Sequence, residues 1–376
     1  RCVRHCDELL LLADADQPEQ HHGNEVDLYK SNALNETRTL LVLLHPDDRR
    51  SPTDTQRWHQ GRRLAGQFHV RRTLRRDWQR LARIISRNAV GLVLSGGGAR
   101  GFAHLGVLRA MDSAGIGIDM VAGTSIGAVM AAYVAMDMPA DEVIRAARSA
   151  FRVNPTGDYN LLPLLSLIRG QRLRRVIDSA VVDSRGQHID IEDLWKPYCC
   201  VTSNYSTARE AVHSRGHLAR SIRASVSIPG ALPPVLLGGE LHIDGGTFNN
   251  FPTDVMDRMG ASRIIGVDLL RDRGLRYDMD EVPGVLELLR DSLRGKNRKY
   301  RLPSLTQLLL NTSMMHSYAR QQAAQSLVDL HFMPTVSGFG LLDWGQFDRI
   351  VEAGYRYAME QLDKAGEDAI APYRYG

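Results

Sequence analysis

Cysteine is scarce. Four stand in 376 residues, at positions 2, 6, 199 and 200, too few and too unevenly placed for a disulfide scaffold. Cys2 and Cys6 flank His5, but no ordered set of further ligands follows. Unliganded thiols in a reducing compartment are expected, and no metal site. Lysine supplies only five of the 47 basic residues; the arginine bias fits a GC-rich genome and carries no function. Neither sign of charge dominates. A net charge of +4 gives no field for wholesale nucleic-acid binding, so no nucleic-acid partner is expected. Long apolar runs are missing too. The uncharged stretch Met120–Met136, MVAGTSIGAVMAAYVAM, is too short and too rich in glycine and hydroxyls to span a bilayer. It reads as a buried strand–turn–helix. The sequence shows no internal repeat and no low-complexity tract, and no signal peptide is expected. The chain starts at Arg1, close to a strand, which reads as the tail of a longer protein.

What is present is ordinary globular composition, in a length sufficient for two domains or one large domain with an extension. Glu8–Ala13, Thr39–His45 and Phe68–Arg71 read as strands, Gln17–Asn35 as a polar loop and Asp54–Gly66 as helical. In RRTLRRDWQRLARIISRN, Leu74, Trp78, Leu81, Ile84 and Ile85 share one helical face and arginines fill most of the rest. Two readings stand: a packed helix with a solvated basic face, or a surface for anionic lipid with Arg72, Arg76, Trp78 and Arg80 as contacts.

From Ala89 strands and helices alternate. Strands are expected at 90–95, 118–121, 197–204, 241–243 and 263–267, and helices at 102–114 and 126–136. That alternation predicts an α/β fold, a mainly parallel central sheet sandwiched by helices, with an N-terminal α/β extension. Asp272–Pro303 is charged and irregular apart from an amphipathic patch, Val285–Leu293, in which Leu288 is a second candidate for membrane contact. It reads as a lid, a membrane contact or a disordered excursion. Thr306–Leu327 and Trp344–Lys364 read as closing helices. The expected division is 1–88, 89–340 and a helical segment at 341–376.

Gly96, Gly98 and Gly101 satisfy G-x-G-x-x-G after a strand, and Asp119 lies at the distance of a dinucleotide fingerprint. Glycine-rich backbone before a helix serves a phosphate or an oxyanion equally well. Two later motifs decide between them. Gly123-Thr124-Ser125-Ile126-Gly127 is G-x-S-x-G at a strand-to-helix junction, the context of a nucleophile elbow. A serine hydroxyl needs a partner to take its proton. His316 and His331 fall in or after a helix and read as surface or packing residues. Asp244, closing a strand in LHIDGG with two glycines behind it, is the better candidate; His242, two residues earlier on the same face of the strand, is expected either to assist it or to pack beneath it.

With these three motifs in order, the sequence resembles the patatin-like phospholipases. SGGGARG is similar to their oxyanion loop, GTSIG to their elbow and IDGG to their aspartate motif. DWQRLARIISRN, IEDLWKPYCCVTSNYS, RASVSIPGALPPV, IDGGTFNNFP and LLDWGQFDRIVEAGYRY resemble the neuropathy target esterase branch and its bacterial-type homologues. This closer likeness runs from about Asp77 to the C-terminus, with a looser one back to Arg1. The resemblance implies a patatin-like α/β/α fold and a serine–aspartate dyad that cleaves phospholipid or lysophospholipid esters. Ser125 is then the nucleophile and Asp244 the base. Gly96, Gly97, Gly98 and Arg100 form the oxyanion loop, Arg100 bracing it or meeting a phosphate, and Gly123, Gly127, Gly245, Gly246 and Asn249 give support. It implies no cofactor, an anionic membrane surface as partner, and a cytoplasmic location, peripheral or tethered. It also implies an upstream cyclic-nucleotide-binding region, of which 1–88 is the end, and leaves a homodimer open. The rival readings are a dinucleotide-dependent oxidoreductase, a non-catalytic lipid-sensing module and acyl transfer to another lipid.

Overall fold

The structure, a computed structural model, describes residues 6–17, 25, 37–183, 186–269, 279–293, 299–300, 302–303 and 305–375. Cys2, His5, most of the loop expected at 17–35 and parts of the irregular segment 272–303 lie outside them.

Three parallel strands, β1 (Glu8–Asp14), β2 (Arg38–His45) and β3 (Gly66–Arg71), form a small N-terminal sheet in that order. The helix expected at 54–66 is only a 3-10 turn, Thr55–His59. Asp54 enters it at φ 58° and Gly61 leaves it at φ 73°, so left-handed residues bracket a span too short for an α-helix.

Helix α1 (Arg75–Ile85) leads into the second sheet, which contains β4 (Val90–Leu94), β5 (Met120–Thr124), β6 (Tyr198–Asn204), β7 (Arg209–His213), β8 (Val235–Leu237), β9 (Glu240–Asp244), β10 (Arg263–Val267) and β11 (Leu330–Phe332). Its order is β11-β10-β4-β5-β6-β9-β8, with β7 also paired to β6. The first five strands along that path are parallel; β7 and β9 run antiparallel to β6, and β8 runs antiparallel to β9. The central strands are apolar without alternation because helices cover both faces, and every residue of β4 and β5 is buried. The antiparallel end matters for function, because it delivers the last residue of β9 beside the C-terminal end of β6.

Helices α2 (Phe102–Ser113) and α3 (Ile126–Ala135) lie against this sheet. Every residue of α3 is buried, as its all-round apolar sequence requires. Helices α4 (Ala140–Ala150), α5 (Gln171–Ala180), α6 (Leu218–Ser225) and α7 (Thr253–Arg258) follow, then α8 (Val285–Ser292), α9 (Leu305–Gln325) and α10 (Phe347–Ala365). Helices α2 and α10 cross closely where Gly106 meets the Val351 carbonyl and Gly354 the Ala103 carbonyl, leaving no room for a Cβ on either.

The two sheets are joined by a buried charge cluster. Arg71 Nε holds Asp77 at 2.7 Å, while Arg71, Arg76 and Lys196 surround Asp137. Burial opposes ionisation of Asp137, but the surrounding cations hold its carboxyl well below the usual carboxylate range.

Candidate active site

Ser125 stands between β5 and α3 at φ 54°, ψ −128°, a conformation that L-residues adopt only when their surroundings impose it. Tight packing imposes it here. A Cβ on Gly123 would collide with the Gly127 carbonyl, and one on Gly127 with the Leu94 carbonyl. Side chains at those two positions would force the turn open. The Ser125 N–H donates to Ser225 Oγ at 2.9 Å, and that hydroxyl donates to Val201 O at 2.7 Å. The elbow is therefore tied to α6 and β6.

Asp244 reaches the serine from 119 positions along the chain: Ser125 Oγ donates to Asp244 Oδ2 at 2.7 Å. The other carboxylate oxygen accepts the Gly246 N–H at 2.7 Å, and the Asp244 N–H donates to Ser227 O at 2.8 Å. Both dyad residues are only 6% exposed. Burial raises the carboxyl pKa to about 6, against the lowering effect of the hydrogen bonds from Ser125 and Gly246. Among the described residues no histidine enters this arrangement. His242 shares the strand, but its Nδ1 lies 2.8 Å from Thr202 Oγ1, while His316 and His331 pack on Phe248 and Phe251.

The glycine loop lies against the elbow: a Cβ on Gly96 would stand 3.0 Å from the Ser125 Cβ. Its amides divide into two sets. Gly96 donates to Asn250 O at 3.3 Å, Ala99 to Leu341 O at 2.8 Å and Arg100 to Gly97 O at 3.2 Å. The N–H groups of Gly97 and Gly98 have no acceptor among the described residues. Gly96 therefore shapes the loop and is not an open donor. Arg100 braces it, with Nε donating to Phe339 O at 2.7 Å. Gly98 sits at φ 56° and its α-carbon side faces the Leu341 carbonyl, which excludes a side chain on both counts.

Asp119 removes the dinucleotide reading. It precedes β5 and so lies at the opposite end of the sheet from the loop, fully buried. Its carboxylate accepts from Arg83 at 2.6 and 2.8 Å and from the Val90 N–H at 2.9 Å. No ribose can reach it. Asp119→Ala is expected to strand Arg83 and the Val90 amide and to destabilise the fold by about 3 kcal/mol. Urea unfolding checks this as a lowered midpoint.

Residues 92–257 match the family model of patatin-like phospholipases, and residues 1–90 that of the neuropathy target esterase family P-loop like domain. The chain belongs to the patatin-like phospholipase family. The order of the two matches places it in the neuropathy target esterase branch of that family. It is 30% identical over 393 residues to the patatin-like phospholipase domain-containing protein 6 of Mus musculus, across 95% of this chain and 28% of that protein. It is 30% identical to the neuropathy target esterase sws of Drosophila melanogaster, across 97% of this chain and 28% of that one. Lysophospholipase nte1 of Aspergillus fumigatus is 33% identical over 79% of this chain and 20% of its own length. The chain thus spans less than a third of each of these relatives.

Within this patatin-like domain the supporting residues act through packing. Gly245 lies on the Val201 carbonyl, and a Cβ on Gly246 would stand 3.0 Å from Asp244 Oδ1 and from Asn250 Oδ1. The Asn249 carbonyl accepts from Thr124 Oγ1 at 2.9 Å, and its side-chain amide donates to Asp254 at 2.8 Å. Ser225 and Ser227, which hold the backbone of the two dyad residues, lie inside RASVSIPGALPPV. Their spacing carries no sign of a role until the register is known.

The basic face of α1 differs from the lipid-facing expectation. Arg80 is buried and pairs with Asp77 at 3.1 Å, Arg76 pairs with Asp137 at 3.0 Å and Arg72 with Asp14 at 2.6 Å. Trp78 is half-exposed, with its indole N–H donating to Arg72 O at 2.9 Å. The carboxylates that neutralise these arginines lie mostly outside the helix, which is why helical periodicity alone suggested a free cationic face. Leu288 is half-buried, and the exposed side of α8 is formed by Val285, Leu286 and Leu289. Among the described residues no helix is long and apolar enough to cross a membrane.

Proposed function

We propose that this chain is a serine–aspartate dyad lipid acyl hydrolase that cleaves carboxylic esters of phospholipids or lysophospholipids. The observation that carries the reading is the 2.7 Å hydrogen bond from Ser125 Oγ to a buried carboxylate, made at a strained elbow beside unpaired loop amides. In the first half-reaction Asp244 takes the Ser125 proton as Oγ bonds to the ester carbonyl carbon. The Gly97 and Gly98 N–H groups receive the oxyanion, each such donor being worth about 3 kcal/mol of barrier. Asp244 returns the proton to the departing alcohol. In the second half-reaction Asp244 takes a proton from water, the water oxygen attacks the acyl-enzyme, and the free acid leaves as Ser125 regains its proton. No step requires a metal or a cofactor.

An ordinary aspartate, ionising near 3.9, is a poor base at neutral pH. Burial brings Asp244 to about 6, closer to working pH while still ionised at pH 7.5. The sign follows: activity needs the deprotonated form, so kcat/KM should rise with pH through about 6 and then level off. Initial rates on a water-soluble short-chain ester and on a lysophospholipid test this. A profile that falls as pH rises through that region contradicts the assignment.

Several finer features belong to the same proposal, with the family resemblance as their support. Residues 89–340 form the catalytic unit between an N-terminal region, 1–88, and a C-terminal helical segment, 341–376. The chain works at a membrane surface on the cytoplasmic side, follows a cyclic-nucleotide-binding region and is open to forming a homodimer. Its bacterial-type character likewise rests on the sequence; the relatives named above come from animals and a fungus.

A further inference from the structure

The segment between α4 and α5 carries the largest exposure of aliphatic side chains among the described residues. In Tyr159–Leu167, YNLLPLLSL, Leu161 is 91% exposed, Leu162 79%, Leu164 90% and Leu165 76%. A contiguous patch of this kind is costly in water and marks a contact surface. The base of the loop is ordered. The Asn160 N–H donates to Leu167 O at 2.9 Å, Asn160 Nδ2 donates to Ser166 O at 2.9 Å, and Ser166 and Ile168 are buried. The loop therefore presents its leucines on a fixed stem.

That stem is attached beside the dyad. The N–H groups of Leu167 and Ile168 donate to Gly230 O and Ala231 O, both at 2.9 Å. Gly230 and Ala231 belong to the connection from α6, whose Ser225 holds the Ser125 amide, to β8. Ser227, in the same connection, holds the Asp244 amide. Charge completes the pattern. Arg152 before the loop and Arg169, Arg172, Arg174 and Arg175 after it are all exposed. Nearby, Asp158 accepts from the Gln171 and Arg172 amides, and Asp178 pairs with Arg174 at 3.3 Å. Protein interface centres favour tryptophan, tyrosine and arginine and are poor in leucine. Exposed leucines flanked along the chain by exposed arginines match hydrocarbon beneath anionic headgroups.

We propose that Leu161–Leu165 inserts into the outer part of an anionic bilayer and, with the arginines around it, seats the dyad at the membrane surface. This rests on the lipid-hydrolase reading for its purpose but not for its measurement. The test uses the whole chain and vesicles of phosphatidylcholine with and without phosphatidylglycerol. Ser125→Ala protein should bind the anionic vesicles, and more weakly the neutral ones. Adding Leu161→Ser and Leu164→Ser should lower the partition coefficient at least about tenfold. In otherwise native protein the same pair should spare hydrolysis of a soluble short-chain ester while slowing hydrolysis of vesicle-borne lysophospholipid. Both side chains are almost fully exposed, so the fold does not depend on them. Vesicle binding that survives the pair overturns the proposal. So does binding that is lost instead with Val285→Ser and Leu286→Ser, or a pair whose only effect is to dissolve an oligomer. Absence of esterase activity with vesicle binding intact would count against the hydrolase reading alone.

Discussion

Ser125→Ala is expected to lower kcat/KM for a short-chain ester and for a lysophospholipid by a factor on the order of 10^4 to 10^6, the range found when a nucleophile is removed from a coupled catalytic group. The residual rate would come from the loop amides and from binding. The loss should be chemical, not structural. The alanine keeps the Ser125 backbone, and hence the N–H bond to Ser225, while removing only the donor to Asp244 Oδ2. That hydrogen bond lowers the Asp244 pKa, so its removal should move ionisation of the carboxyl further up from about 6. Steady-state kinetics on folded variant, with circular dichroism to confirm folding, separate these effects. A variant within tenfold of the native rate would remove Ser125 from the mechanism.

Asp244→Asn should lose about 10^4 in turnover and yet gain stability at neutral pH. The side chains are isosteric. The asparagine oxygen can keep the Gly246 N–H, and its amide nitrogen can donate to the serine oxygen in place of accepting from it. A serine so held cannot surrender its proton. The stability argument runs through linkage. The folded-state pKa is raised from 3.8 to about 6. The stability this group contributes is fully present below its unfolded pKa and is lost as pH rises through the folded value. At pH 7.5 the ionised, buried carboxylate then costs the native enzyme about 3 kcal/mol relative to a neutral group, and the asparagine does not carry that cost. The variant should melt several degrees higher at pH 7.5, and the gap should shrink as pH falls from about 6 towards 4. Equal melting temperatures at pH 7.5 would mean that the carboxylate is not destabilised by burial, and the explanation of its basicity would fail with it.

The parts of this site that could be read in the sequence are the local ones. The strand–Ser–helix junction, the glycine loop before α2 and the Asp-Gly-Gly that ends β9 each lie within a few residues of chain, and hydrophobic runs and turn chemistry mark them. The parallel core of the sheet follows from the alternation of strands and helices after Ala89. What stayed hidden was set by pairing across distance. That β9 runs antiparallel to β6, with Asp244 opposite Thr202, has no local signature, nor do the short partners β7, β8 and β11. Ser225 and Ser227 look like ordinary polar residues at the end of a helix, yet they fix the two catalytic backbones. The partners of the α1 arginines are hidden for a related reason. Periodicity counts the charges on one helix, and Asp119 and Asp137, which neutralise several of them, come from elsewhere in the chain. The segment 54–66 had helical composition, but left-handed backbone at Asp54 and Gly61 confines the helix to a single turn. Conversely, nothing in the sequence of LLPLLSL sets it apart from a stretch of core; only its exposure does.

The most direct test of the dyad is to treat native and Asp244→Asn protein with a fluorophosphonate ester at pH 7.5 and map the adduct by peptide mass spectrometry. The reagent reports on the nucleophile without requiring the correct lipid. If Asp244 takes the proton from Ser125, native protein should carry one phosphonyl group, on Ser125, and the asparagine variant should label slower by about 10^3 or more. An adduct on another serine, or equal labelling rates in the two proteins, would contradict the assignment.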